Sequence, residues 1–258
     1  MIGQIFAYRY AVLSGVLSSL CLFLIQHYHL VWFFVMALIL LISITIFLFI
    51  LTIRRFEVRR ENILLILTTI FAFVGLTSLI EWREMLIFLN ILCGFAVGLI
   101  FFITIHRAYA LRHESKPWRR IMMMLWVFDC YALATVILAF GIFFPGTPYW
   151  ILAILIALVY ALISVMIWKM YFAWPYRNFT LWFLVVLLVM SEIVWAMHYL
   201  PLGYLVLGVF ITWIWYIIQI FVRFNLSKRG IIWKNQLWFL LSNAVLYILL
   251  LFFFAKWL

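Results

Sequence analysis

Phe179–Tyr204 reads FTLWFLVVLLVMSEIVWAMHYLPLGY. It stays apolar for about the 20 residues that an α-helix needs to cross a bilayer. Roughly two-thirds of the way along it carries a carboxylate, Glu192. An ionised side chain in a membrane span costs about 2.5–3.5 kcal/mol unless something compensates it. The expected direction of Glu192 is therefore inward, toward other helices or a wet cavity.

The composition extends that reading to the whole chain. Of 258 residues, 71% are apolar and 10% charged, and the mean hydropathy is +1.28. Soluble domains run at about 45–50% apolar and 25% charged. A chain of this length could not bury so much apolar surface and keep a wettable exterior, so lipid has to solvate the outside. The net charge of +11 does not indicate nucleic acid. Its basic residues fall in short loops between apolar runs, where they set topology and meet anionic head groups. Cys21, Cys93 and Cys130 lie inside apolar runs, without metal spacing, and read as small apolar fillers. The first run lacks a small-x-small cleavage site. Ser18-Ser19-Leu20-Cys21 departs from a lipoprotein box at Leu20, where a small residue is needed.

Outward from Phe179–Tyr204, nine apolar runs predict nine spans, at about 5–26, 30–53, 63–80, 85–108, 121–144, 149–172, 179–199, 204–224 and 237–257. The fold class expected is an all-α polytopic transmembrane bundle, one integral membrane domain over residues 1–258. Every second loop is basic: RRFEVRREN at 54–62, YALRHESKPWRR at 109–120, the Arg177 loop at 173–178, and NLSKRGIIWKNQ at 225–236. The loops between them hold only Arg83 and no Lys. The positive-inside rule then places the N-terminus in the cytoplasm and the C-terminus outside, in the plasma membrane. Spans one to four and five to eight share one pattern of hairpins and basic loops. A parallel 4+4 tandem repeat plus one helix gives that pattern, and so does any protein built of helical hairpins. All five prolines lie in loops. No span shows the Gly/Pro break at which many transporters bind substrate.

Few polar residues interrupt the spans. Asp129 lies about a third of the way into span five, and Arg9 about one turn into span one, both from the cytoplasmic side. At about 1.5 Å rise per residue their depths differ by about 6 Å, within reach of an Arg side chain. Two readings stand: a buried Arg9–Asp129 ion pair, or an Arg9 that snorkels to head groups while Asp129 bonds a hydroxyl such as Tyr131 or is protonated. Ala132, Thr135 and Ala139 follow Asp129 on one face, a small-residue stripe suited to close packing. Glu192 has Trp195 and Tyr199 on its own side at i+3 and i+7. It is a candidate proton or cation site, or a catalytic acid with His198 as partner. The alternative is a carboxylate satisfied by Arg83 or a hydroxyl. His27, His29, His198 and Glu84 share the expected outer surface, but their dispersal along the chain argues against a metal site.

Asn90, Gly94 and Gly98 recur at i, i+4 and i+8 in span four. The GxxxG favours close helix contact, either inside the chain or as a homo-oligomer face. Thr212, Trp215, Tyr216 and Gln219 fall on one face of span eight, with Ser242 and Asn243 in span nine, as interhelical hydrogen bonders or the lining of a polar groove. No Walker A, GxSxG or HExxH motif occurs, and the loops are too short for a soluble catalytic domain.

The segment Ser191–Gly230, SEIVWAMHYLPLGYLVLGVFITWIWYIIQIFVRFNLSKRG, resembles the C-terminal half of an uncharacterised multi-pass bacterial membrane-protein family. The shared features are an acidic residue late in one span, a Leu-Pro-Leu-Gly-Tyr turn, and a basic loop after the next span. The resemblance implies a fold class and no activity. The function expected is a non-catalytic integral membrane protein with a polar interior, permease-like or a membrane scaffold, without a cofactor. The alternative is a membrane-embedded enzyme acting on a lipid-linked or apolar substrate through Glu192 and His198.

Overall fold

The computed structural model describes residues 2–27, 35, 38–46, 49–50, 60–110, 116–172, 175–227 and 233–254. Among them no strand occurs. The helices are α1 (Ile2–His27), α2 (Arg60–Ser78), α3 (Arg83–Ala110), α4 (Lys116–Phe143), α5 (Tyr149–Tyr171), α6 (Thr180–Met197), α7 (Tyr204–Leu226) and α8 (Trp233–Phe254). A single 3-10 turn, Tyr176–Phe179, leads into α6. An all-helical chain is what an apolar solvent demands, because a helix satisfies its backbone N–H and C=O groups within one segment.

Seven of these helices are long and apolar enough to cross a membrane. They lie within α1 to α7 and follow the runs seen in the sequence, which makes this a multi-span, membrane-type helical architecture. The second run falls mostly outside the described residues, although 38–46 are helical. In α8 the apolar core, Leu240–Leu250, is shorter than a span.

Helix ends follow local chemistry. The α4–α5 turn contains Pro145 and Pro148, and Pro148, extended at φ −61° and ψ 131°, stands just before α5. A proline there costs no helical hydrogen bond, since the first N–H groups have no partner within the helix. Gly203, extended at φ −66° and ψ 150°, opens α7 after Pro201 in the same way. One boundary differs from the sequence reading. α4 begins at Lys116, so Lys116, Arg119 and Arg120 are helical and not loop. Pro117 explains this: in the first turn of a helix its fixed φ favours initiation.

Contacts gather the chain into two compact units, Met1–Asp129 and Cys130–Leu258, and the division falls within α4. In the first unit α1 lies against α3. The approach is close because glycines meet. A Cβ on Gly15 would stand 2.5 Å from the carbonyl oxygen of Gly94, and one on Gly94 2.7 Å from the oxygen of Gly15. Leu65, Ile66, Ile70 and Phe73 of α2 and Val97, Ile100 and Phe101 of α3 form the core beside this crossing. Phe73 packs on Phe128 of α4 with ring centroids 4.8 Å apart.

In the second unit α5 lies against α6, and both meet α7. α5 buries a small-residue stripe, Ala153, Ala157, Ala161 and Ser164. α6 buries Val186, Met190, Val194 and Met197. Small against large side chains at these spacings is the geometry of close helix packing in a membrane. α8 meets its neighbours through Tyr247, whose ring packs edge-on to Phe210 at 4.7 Å, and through Asn243, whose Oδ1 accepts from Trp213 Nε1 at 2.9 Å.

Candidate functional site

Asp129 is fully buried on α4. The hydroxyls of Thr68 and Thr69 on α2 donate to its Oδ2 at 3.0 and 2.9 Å. Its Oδ1 has no hydrogen-bond partner among the described residues. Arg9 is exposed on α1, so the carboxylate takes hydroxyl partners in place of the Arg9 ion pair weighed above. The physical reason is availability. Two adjacent threonines on α2 reach the site from inside the unit, whereas a long cationic side chain near a helix end reaches water and head groups at less cost. The hydroxyl reading was right in kind, but it pointed to Tyr131 and overlooked Thr68-Thr69, a pair visible in span three.

Glu192 is exposed on α6, which corrects the inward direction expected of it. The stripe Val186, Met190, Val194 and Met197 faces the packed side. At 100° per residue Glu192 lies on nearly the opposite side. Only 22% of Tyr176–Met197 is buried, against 39–56% for the other six spanning helices. His198 is turned to a different task. Its ring stacks on Tyr149, centroids 3.8 Å apart, and the Tyr149 hydroxyl donates to the Val194 carbonyl at 3.1 Å. No hydrogen bond joins Glu192 to His198. The two sit six residues apart on α6, about 120° apart around the helix axis, so they do not converge as an acid–base pair would.

The polar face of α7 is built into the second unit. Tyr160 Oη and Thr212 Oγ1 are 2.8 Å apart. Trp215 Nε1 donates to Ser164 Oγ at 2.9 Å, and Ser164 in turn donates to the Tyr160 carbonyl at 2.8 Å. These are the interhelical hydrogen bonds expected of Thr212 and Trp215; Tyr160 and Ser164, four residues apart on α5, were not singled out in the sequence. Gln219 is buried, and both of its amide atoms lack hydrogen-bond partners among the described residues, as does Trp168 Nε1. Tyr216 is only half-buried. A Cβ on Gly208 would clash with Thr135 Oγ1, so the small-residue stripe after Asp129 does support close packing, here against α7.

Asn90, Gly94 and Gly98 all meet α1. Asn90 and Gln26 exchange two amide hydrogen bonds, Gln26 Nε2 to Asn90 Oδ1 at 3.1 Å and Asn90 Nδ2 to Gln26 Oε1 at 2.7 Å. A reciprocal amide pair satisfies both groups without charge, which suits a helix interface in lipid. Beside it an open, almost wholly apolar groove runs along the α1–α3 crossing, past Val16, Phe23, Ile91 and Phe95, with a volume of about 1040 Å³.

His29 lies outside the described residues. Among the described residues, no three His, Cys, Asp or Glu side chains gather as metal ligands would. Cys21, Cys93 and Cys130 are free and buried. No protein-family model, curated protein or solved structure matches the chain, so its function has to be argued from its own residues.

Proposed function

We propose that the chain is a nine-span integral protein of the plasma membrane, N-terminus in the cytoplasm and C-terminus outside, serving as a non-catalytic scaffold for other membrane proteins. The observation that carries the scaffold role is the dry satisfaction of Asp129. A carboxylate that moves protons or ions needs a wet approach, whereas this one is fully buried and held by Thr68 and Thr69. The polar side chains of the second unit likewise bond to one another, through Tyr160, Thr212, Ser164 and Trp215. The nine-span topology is supported by the alternation of basic and non-basic loops. The 4+4 repeat is supported by the two units of similar length. The basic loops contact anionic head groups, and neither a cofactor nor a metal is needed.

The permease reading keeps one observation in its favour. Gln219 and Trp168 hold buried polar atoms without hydrogen-bond partners among the described residues, and water along a path would satisfy them. Thiol accessibility separates the two. With Cys21, Cys93 and Cys130 replaced by Ala, Asp129→Cys, Thr69→Cys and Gln219→Cys are each labelled from either side with a membrane-impermeant reagent. The scaffold reading expects protection of all three from both sides in protein that remains monodisperse. Labelling of position 219 from one side and 129 from the other would establish a water path and replace scaffold with transport.

A further inference from the structure

The face that α6 turns away from its packed stripe is a second, continuous stripe. Leu181, Leu184, Leu188, Trp195 and Tyr199 are 69%, 56%, 58%, 45% and 72% exposed. Glu192 lies among them and is exposed too. The spacing alternates threes and fours, which is the seam against which a second helix packs knob into hole. Within that seam Glu192 makes no hydrogen bond or ion pair with any described residue, while the nearby His198 is committed to Tyr149. Facing lipid, an unpaired carboxylate costs about 2.5–3.5 kcal/mol. The buried Asp129 avoids such isolation with two hydroxyls, and nothing in the described chain does this for Glu192.

Depth narrows the chemistry of the missing partner. Glu192 is five residues short of the end of α6 at Met197, about 7.5 Å below it at 1.5 Å per residue. That is one to two turns inside the hydrocarbon, beneath the aromatic residues Trp195 and Tyr199. A Lys or Arg at this level keeps its long apolar stem in lipid and its head near the interface, so it enters the membrane at little cost on its own. Opposite Glu192 it gains a charge-assisted hydrogen bond in a medium of low dielectric. A second copy of this chain does not offer that group through α6, because a parallel α6–α6 contact would set Glu192 against Glu192.

We propose that the outer stripe of α6 is a docking seam for a transmembrane helix of another membrane protein, one that presents a Lys or Arg to Glu192 about one to two turns from its outer end. This inference rests on the scaffold reading and names the class of partner. Leu181, Leu184 and Leu188 supply the packing surface, and Glu192 supplies selectivity, since any apolar helix fits the leucines while only a helix with a donor at the right depth removes the carboxylate's penalty.

The test uses the full chain, fluorescently labelled, in vesicles of phosphatidylcholine with phosphatidylglycerol. The probe is a poly-Leu transmembrane peptide with one Lys at the matching depth; companion peptides carry Leu or Glu there. Energy transfer from chain to peptide reads association. Wild type is expected to bind the Lys peptide about tenfold more tightly than the Leu peptide, in line with polar contacts worth about 1–2 kcal/mol between membrane helices. Glu192→Leu should abolish the preference, and Glu192→Lys should transfer it to the Glu peptide. Leu188→Ala should weaken all peptides alike. Equal binding of the Lys and Leu peptides to wild type overturns the proposal. So does transfer between two labelled copies of the chain that Glu192→Leu removes, since the seam would then be a homodimer face. These failures are distinct from failure of the scaffold reading, which shows as labelling at positions 129 and 219 and leaves peptide binding unchanged.

Discussion

Asp129 and Glu192 are the same kind of anomaly, a single carboxylate in a long apolar helix, and the structure treats them oppositely. Asp129 is fully buried and bonded to two threonines. Glu192 is exposed with bulky neighbours along its stripe. The difference lies in what accompanies each on its own helix face. Asp129 is followed by Ala132, Thr135 and Ala139, and all three are buried. Glu192 is followed by Trp195 and Tyr199, and both are exposed. Small side chains let a neighbouring backbone come close enough to enclose the polar group. Large aromatics hold neighbours off and belong at the lipid–water boundary. The charge alone therefore says that a partner is needed; the size of its companions says whether the partner is in the same chain.

Four substitutions break or sharpen this contrast. The largest effect is expected where enclosure is tightest. Gly15→Leu would drive a side chain into the Gly94 carbonyl, and overpacking of this kind costs about 3 kcal/mol. Unfolding in detergent, followed by the loss of a folded monodisperse peak, would show it; an unchanged midpoint would mean that α1 and α3 do not meet as described. Next is Asp129→Ala, which leaves the Thr69 hydroxyl unpaired in a small cavity and should cost about 2–3 kcal/mol. Asp129→Asn retains an acceptor for Thr68 and Thr69 and should recover most of that loss, a rescue that a purely steric role would not distinguish. Trp215→Phe removes one donor to Ser164 and should cost about 1 kcal/mol by the same unfolding measurement. The smallest effect is expected at Glu192→Leu, whose consequence for the folded chain alone should stay within about 0.5 kcal/mol, as for surface substitutions elsewhere. A loss comparable to that of Asp129→Ala would show that Glu192 has an internal partner after all, and the docking seam would have to be abandoned.

Much of the fold can be read directly in the letters. The apolar runs between about 63 and 224 correspond to α2 through α7, with ends that shift by a few residues where Pro117 and the 3-10 turn at Tyr176–Phe179 act. Of the candidate residues, Asn90, Gly94, Gly98, Thr212 and Gln219 sit at buried or close-packed positions, because small and amide side chains in a span have few other uses. The partners were harder to read. Gln26, Thr68, Thr69, Tyr160 and Ser164 lie far from Asn90, Asp129 and Thr212 along the chain, and nothing in their own neighbourhoods marks them as counterparts.

The sequence by itself determines that this is a chain of membrane-spanning helices and roughly where each begins and ends. The reason is that the bilayer imposes a length and an apolar character on every span whatever its neighbours are. Only the tertiary structure decides how each helix is rotated. A helix that is apolar on all sides carries no amphipathic stripe to aim it, so the inward face is chosen by fit: Gly15 against Gly94, and the alanine stripe of α5 and the valine–methionine stripe of α6 as the faces those helices bury. That choice of face, made by shape and not by polarity, is what encloses Asp129 and leaves Glu192 on the outside.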